Sequence, residues 1–103
     1  MQEFKFLNYQ INSQIAEIII NRPPINAFNI QLLDEILSSL ELAKNDGTVR
    51  AVLIKSNLEK IFCAGLDLDI LIDKPILKVR EFLERLYVKL WDIQYNMGKP
   101  TIA

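Results

Sequence analysis

The chain has no histidine, one cysteine and three glycines in 103 residues. Each shortage removes a class of function. Without histidine there is no Ser–His or Cys–His nucleophile pair and no His-containing zinc site. The lone Cys63 forms no internal disulfide, a usage that fits a reducing compartment, and it cannot build a cysteine-only metal cluster. Excess charge is missing too. Twelve Lys and Arg against thirteen Asp and Glu leave a formal net charge of −1, with no basic cluster to track a phosphate backbone. Nucleic-acid partners are therefore not expected. The longest purely apolar runs, such as Ile18-Ile19-Ile20, fall far short of the ~20 residues of a membrane span. Met1-Gln2-Glu3-Phe4 lacks the basic start and apolar core of a signal peptide. The expectation is a soluble, cytoplasmic protein with no membrane partner. Any catalysis must come from carboxylates, backbone donors or a partner segment.

What is present reads as α/β. Half the residues are hydrophobic and a quarter charged, enough for one small core that buries roughly 60–70% of the unfolded surface. Phe4 to Tyr9 and Ile15 to Ile20 read as two strands of a hairpin with its turn at Asn12-Ser13. Asn21-Arg22-Pro23-Pro24 ends the second strand, because paired prolines cannot continue a ladder. Asn29 is placed to cap a helix, with Asp34 and Glu35 early in it to complement the dipole. Leu33, Ile36, Leu37, Leu40 and Ala43 form its apolar stripe, and Asp46-Gly47 its terminator. Arg50 to Ser56 reads as a strand buried on both faces. Leu66 to Ile72 reads as a short helix. Pro75, at a first helical position, opens a long amphipathic helix whose inner stripe is Leu77, Arg80, Leu83, Leu86, Leu90 and Ile93. Gly98-Lys99-Pro100 closes it, and Thr101-Ile102-Ala103 starts another strand. There is no internal repeat and no linker. A three-residue strand start has little to hold it, so residues 1–103 read as the first part of a larger domain.

The stretch Phe62-Cys63-Ala64-Gly65-Leu66-Asp67-Leu68 carries the sharpest chemical hint. A glycine turn followed by a helix start exposes unpaired backbone N–H groups. Such donors suit a carbonyl oxygen that gains negative charge during reaction. On local sequence alone, Gly65 as a plain turn glycine is the commoner reading.

Four motifs in order bear on that choice. Ile18-Ile19-Ile20-Asn21-Arg22-Pro23 followed by Ile25-Asn26-Ala27-Phe28, then Val49-Arg50-Ala51-Val52-Leu53-Ile54, then Phe62 to Leu68, then Lys99-Pro100-Thr101-Ile102-Ala103 resemble the N-terminal part of the enoyl-CoA hydratase/isomerase (crotonase) superfamily. The resemblance covers essentially the whole chain. It implies a spiral of ββα units and an incomplete domain over residues 1–103. It further implies an acyl-CoA thioester as partner, with coenzyme A present only as part of the substrate and no permanently bound cofactor or metal. The backbone N–H of Leu66 would be one of two oxyanion-hole donors, the catalytic element of this chain. Coenzyme A would lie against Ile25, Asn26 and Ala27 and against Ala64, Gly65, Leu66, Asp67 and Leu68. Many relatives carry a lysine near the CoA phosphates three residues after the donor, where this chain has Asp69. The second donor and the catalytic carboxylates would lie beyond Ala103, so the 103 residues alone are expected to be inactive. Full-length relatives form trimers or dimers of trimers. The Gly65-Leu66-Asp67-Leu68 wording and the short Pro23-Pro24-Ile25-Asn26 loop look like the Δ3,Δ2-enoyl-CoA isomerases.

Other readings are plainer. Asp67, Asp69 and Asp73 read as caps and solvated surface rather than a metal site, since local carboxylates alone rarely complete a cation's coordination. Cys63 reads as a small packed side chain. Arg80 is expected to snorkel or to pair with Glu84 or Asp73, and Tyr87 and Trp91 to pack in the core or a subunit interface. The alternative to an enzyme is a non-catalytic remnant or acyl-CoA-binding module.

Overall fold

The computed structural model describes residues 3–70 and 72–103; Met1, Gln2 and Leu71 lie outside the described residues. Strands β1 (Leu7–Asn12) and β2 (Ile15–Ile20) form an antiparallel hairpin in which Leu7 faces Ile20 and Asn12 faces Ile15. The two-residue loop is Ser13-Gln14, both at positive φ (52° and 68°). Two left-handed residues in succession match the right-handed twist of a tight hairpin. β3 (Ala51–Ser56) pairs parallel with β2, and β4 (Thr101–Ile102) parallel with β3, giving the sheet order β1-β2-β3-β4.

The first strand starts three residues later than the sequence suggests. The Phe6 N–H, which a strand would use in its ladder, is taken by the Glu35 carboxylate at 2.8 Å. Glu35 is buried, and its second oxygen accepts from Gln31. It therefore anchors the approach to β1 and does not serve the helix dipole, whose reach is confined to the first turn. That turn holds no acid.

Helix α1 (Ile30–Asn45) begins at Asn29, whose side chain accepts the Leu32 N–H at 2.8 Å. Its stripe packs on β1 and β2. Alternation along β2 puts Ala16, Ile18 and Ile20 in one core with Leu7, Leu32, Ile36, Leu40, Ala43, Val49, Val52 and Met97. β3 is not buried on both faces: Val52 is fully covered, Ala51, Leu53 and Ile54 are half-buried, and Lys55 is exposed. Among the described elements α1 covers one face of the sheet, so burial alternates. At the far end of α1, Asp46 is the cap, in extended conformation, and Gly47 is not left-handed. The free carbonyls are met instead by Lys99, whose Nζ donates to Ala43 O (2.6 Å), Lys44 O (3.2 Å) and Asp46 O (2.7 Å). A cation at a helix C-terminus does the work assigned to glycine.

After the Gly65 turn comes one short 3-10 turn, Leu68–Ile70. Three residues carry no useful macrodipole. Helix α2 (Ile76–Glu84) follows, with Pro75 as its N-cap, one position earlier than expected. Pro75 itself is extended (ψ 144°), and its carbonyl accepts from Lys78 and Val79. The helix continues through a π-helical segment, Arg85–Lys89, into α3 (Leu90–Asn96). A π turn holds one residue more than an α turn and rotates the faces on either side of it. The buried stripe runs through Phe82, Leu83, Leu86, Leu90, Ile93 and Met97 on both sides of that segment. Leu77 and Arg80, assigned to that stripe from sequence, are exposed. Arg80 forms no ion pair among the described residues; it lines an open hollow of about 720 Å³ with Lys74, Val79 and Glu84. Trp91 and Tyr95 stack on each other, centroids 4.8 Å apart, on the outside. Tyr87 and Trp91 are thus exposed and not core. No helix among the described residues is long and apolar enough to cross a membrane.

Candidate functional site

Two loops meet beyond the ends of β2 and β3. The first, residues 21–29, follows the proline stop; its Pro23–Pro24 peptide is cis. The second carries Phe62 to Leu68. Asn26 joins them from inside. It is fully buried at φ 55°. Its Oδ1 accepts the Arg22 N–H (2.7 Å), and its Nδ2 donates to Ser56 Oγ (2.8 Å) and Phe62 O (2.9 Å). Both ends of the amide are used, so Asn26 serves the loop junction and has no side-chain donor left for a ligand. Ala64 N donates to Ile25 O at 3.1 Å, and the Cys63 thiol donates to Asn26 O at 3.3 Å. Cys63 is thereby half-buried and packed.

The decisive geometry lies at Gly65-Leu66. Gly65 has φ +96°, a conformation that strains any residue with a Cβ. Its carbonyl accepts the Phe28 N–H at 2.8 Å, and the Asp67 N–H donates back to Phe28 O at 2.8 Å. These two bonds form an isolated parallel bridge between Phe28 and Leu66. Such a bridge uses the neighbours of Leu66 and leaves its own N–H on the opposite edge. Because the Gly65–Leu66 peptide is a rigid plane, pinning its carbonyl to Phe28 also aims its N–H away from Phe28. Among the described residues nothing accepts that N–H. The Leu66 side chain meanwhile packs with Phe28 and Leu86 against buried Phe82 and Leu33. The side chain serves the core while the backbone stays available.

Beside this peptide is a cleft of about 350 Å³ lined by Arg22, Pro23, Pro24, Ile25, Ala27, Leu66, Asp67 and Leu68. The structure thus brings together Ile25, Ala27, Leu66, Asp67 and Leu68, places Ala64 and Gly65 on the exposed turn beside them, and turns Asn26 inward. Arg22 belongs to the site although its side chain was not singled out from sequence. Its guanidinium donates to Ala27 O (2.8 Å) and to Asp67 Oδ2 (2.9 Å) and lies over the Phe6 ring. The Asp69 N–H bound to the other Asp67 oxygen, and then Arg22, hold the Asp67 carboxyl below its ordinary value. Asp67 is therefore ionised and occupied at neutral pH, a poor general acid. Phe82 was also missed, because the expected stripe steps back from Leu86 by threes through Leu83, Arg80 and Leu77, whereas Phe82 shares the face of Leu86 four residues on.

A sequence profile of the enoyl-CoA hydratase/isomerase family matches residues 10–103. The chain belongs to this family. Over 90 residues it is 36% identical to human mitochondrial enoyl-CoA hydratase domain-containing protein 2, an alignment covering 86% of this chain and 30% of that protein. Over 67 residues it is 40% identical to the trans-2-decenoyl-acyl-carrier-protein isomerase of Streptococcus mutans, covering 64% of this chain and 25% of the isomerase. The chain therefore spans less than a third of the length of these two curated relatives. Among solved structures, DspI of Pseudomonas aeruginosa superposes with a TM-score of 0.87 at 22% identity, over 98% of this chain and 41% of DspI. A Legionella pneumophila protein assigned as an enoyl CoA hydratase/isomerase (crotonase) superposes at 0.85 with 30% identity, over 96% of this chain and 39% of the other. The architecture is the corresponding part of the crotonase fold.

Proposed function

We propose that the chain supplies the thioester-binding loops of an enzyme that hydrates or isomerises enoyl thioesters, with the Leu66 N–H as one oxyanion donor. The observation that carries this reading is the Gly65–Leu66 peptide, fixed by Phe28 and free at its N–H, beside the cleft that holds Ile25, Ala27 and Leu68. Family membership supplies the chemical class. When a proton leaves the carbon next to a thioester, or water adds one carbon further on, the electron pair moves onto the carbonyl oxygen. A donor already aimed at that oxygen stabilises the enolate without reorganising. Loss of one such donor lowers turnover by about 10²–10³-fold in other enzymes. Acyl-CoA is the proposed ligand, with coenzyme A entering as part of the substrate. Isomerisation is the narrower reading, favoured by the names of relatives such as the S. mutans enzyme and rat mitochondrial enoyl-CoA delta isomerase 1, 41% identical over 54 residues.

A binding module without turnover is the competing class, favoured by the engagement of Asp67 with Arg22 and Asp69. Titration of the ¹⁵N-labelled chain with acetoacetyl-CoA, and with an S-alkyl-CoA of equal length that lacks the carbonyl, tests the donor. The Leu66 amide proton is expected to move downfield with the thioester and not with the thioether. Equal response to both, or to neither, refutes the oxyanion reading. The 103-residue chain, purified free of host enzyme, is expected to bind without turning over crotonyl-CoA; measurable hydration would show that these residues suffice.

A further inference from the structure

Resting on the oxyanion reading, we infer that Arg22 and Asp67 are positioning residues, a two-loop latch that sets the direction of the Leu66 N–H. The two side chains come from sites 45 residues apart and meet at 2.9 Å. Each side chain makes one further hydrogen bond. The second guanidinium nitrogen of Arg22 donates to Ala27 O, next to Phe28. The second carboxylate oxygen of Asp67 accepts the Asp69 N–H, and the Asp67 backbone N–H donates to Phe28 O. Leu66 is thus held from both sides. Its preceding peptide is pinned through Gly65 O, and its following peptide through Asp67, whose side chain is fixed to the first loop.

The chemistry of the pair favours aiming over stability. Both side chains are about one-fifth exposed (22% each). Ion pairs with access to water contribute little to folding. A planar fork that holds an acceptor in each loop, however, removes the hinge motion that would swing the donor off its target, and small misplacements of a preorganised donor are costly in rate. Lysine cannot replace the fork, because its ammonium is a point donor on a flexible stem.

The test compares affinity for acetoacetyl-CoA with that for the S-alkyl-CoA of equal length, by calorimetry, in the wild-type chain, Asp67→Asn and Arg22→Lys. One well-aimed donor corresponds to about a tenfold preference for the thioester. Asp67→Asn is expected to unfold cooperatively and to lose most of the preference, read as the ratio of the two affinities because Asp67 also lines the cleft; Arg22→Lys is expected to fall between. Both variants keeping the wild-type preference overturns the latch and leaves the oxyanion reading intact. A wild-type chain without preference overturns that reading and the latch with it. Parallel loss of both affinities, together with loss of cooperative unfolding, assigns the pair to the fold alone and also overturns the proposal.

Discussion

Replacing Asn26 by alanine tests the loop junction most severely. Asn26 is fully buried and its amide makes three hydrogen bonds of 2.7–2.9 Å, to Arg22 N, Ser56 Oγ and Phe62 O. Each is worth about 1 kcal/mol net, so truncation removes about 3 kcal/mol and strands the Arg22 N–H and the Phe62 carbonyl. The backbone adds a second cost. Asn26 sits at φ 55°, a conformation asparagine tolerates and alanine resists by about 1 kcal/mol. Asn26→Ala should therefore cost about 4 kcal/mol and Asn26→Gly about 3, since glycine loses the same bonds without the strain. Against a total stability of about 5–15 kcal/mol for a domain, either is a large fraction. Urea unfolding followed by circular dichroism gives both values from the midpoint shift at constant slope. Hydrogen exchange at the Ala64 and Phe28 amides should quicken in step, because both protons cross the same junction. A loss under about 1.5 kcal/mol for alanine would refute the hydrogen-bond accounting, and glycine as costly as alanine would refute the strain assignment.

Two further outcomes follow from other contacts. Lys99→Met keeps the aliphatic stem but removes the charge that meets the Ala43, Lys44 and Asp46 carbonyls; a loss of about 1.5–3 kcal/mol is expected in the same urea assay, and an unchanged midpoint would show those carbonyls to be equally well served by water. The pH dependence has a definite sign on both sides. Asp46 is held below its ordinary carboxyl value by Thr48, Glu17 by Gln10 and Lys55, and Asp67 by Asp69 and Arg22. Their stabilisation is present above the unfolded values, about 4, and is lost as pH falls through the depressed folded values. Burial, then the Asp46 charge, raises the Tyr9 phenol, so stability also declines as pH rises from about 10 through its folded value. The contribution of these four groups should lower the melting temperature on acidification below pH ~4 and again above pH ~10; a melting temperature that rises on acidification below pH ~4 would contradict the assignment.

The parts of this fold that read directly from sequence are those fixed by neighbours. Asn29 caps Leu32 three residues on, and the alternation Ala16, Ile18, Ile20 belongs to one strand; in both cases cause and effect lie within a few residues. Gly65 is legible for the same reason, since a left-handed turn calls for a residue without Cβ. What escaped is what distant groups decide. Glu35 captures the Phe6 N–H across 29 positions and delays β1. Lys99 reaches back to α1 and replaces the glycine cap. No local pattern announces either, because the carboxylate and the ammonium look like ordinary surface charges until the chain has folded.

The long helix shows the limit of periodicity itself. Steps of three residues fall about 60° short of a full α turn, so a stripe drawn back from Leu86 through Leu83, Arg80 and Leu77 walks off the buried face, which ahead of the π segment holds Val79 and Phe82. Leu77 and Arg80 were carried onto the wrong face while Phe82 was left off the right one. Spacing also states which residues lie side by side and not whether anything covers them. Tyr87, Trp91 and Tyr95 recur at four-residue intervals and face outward. Leu66 is the converse case. Its side chain is anchored to Phe82 and Leu33, and what sets the residue apart is a peptide N–H that no described residue accepts, a property with no residue-specific signal. The sequence signals at that position are the glycine before it and the aspartate after it. The glycine specifies the turn, and the aspartate, whose carboxylate meets Arg22 from 45 residues away, ties that turn to the first loop.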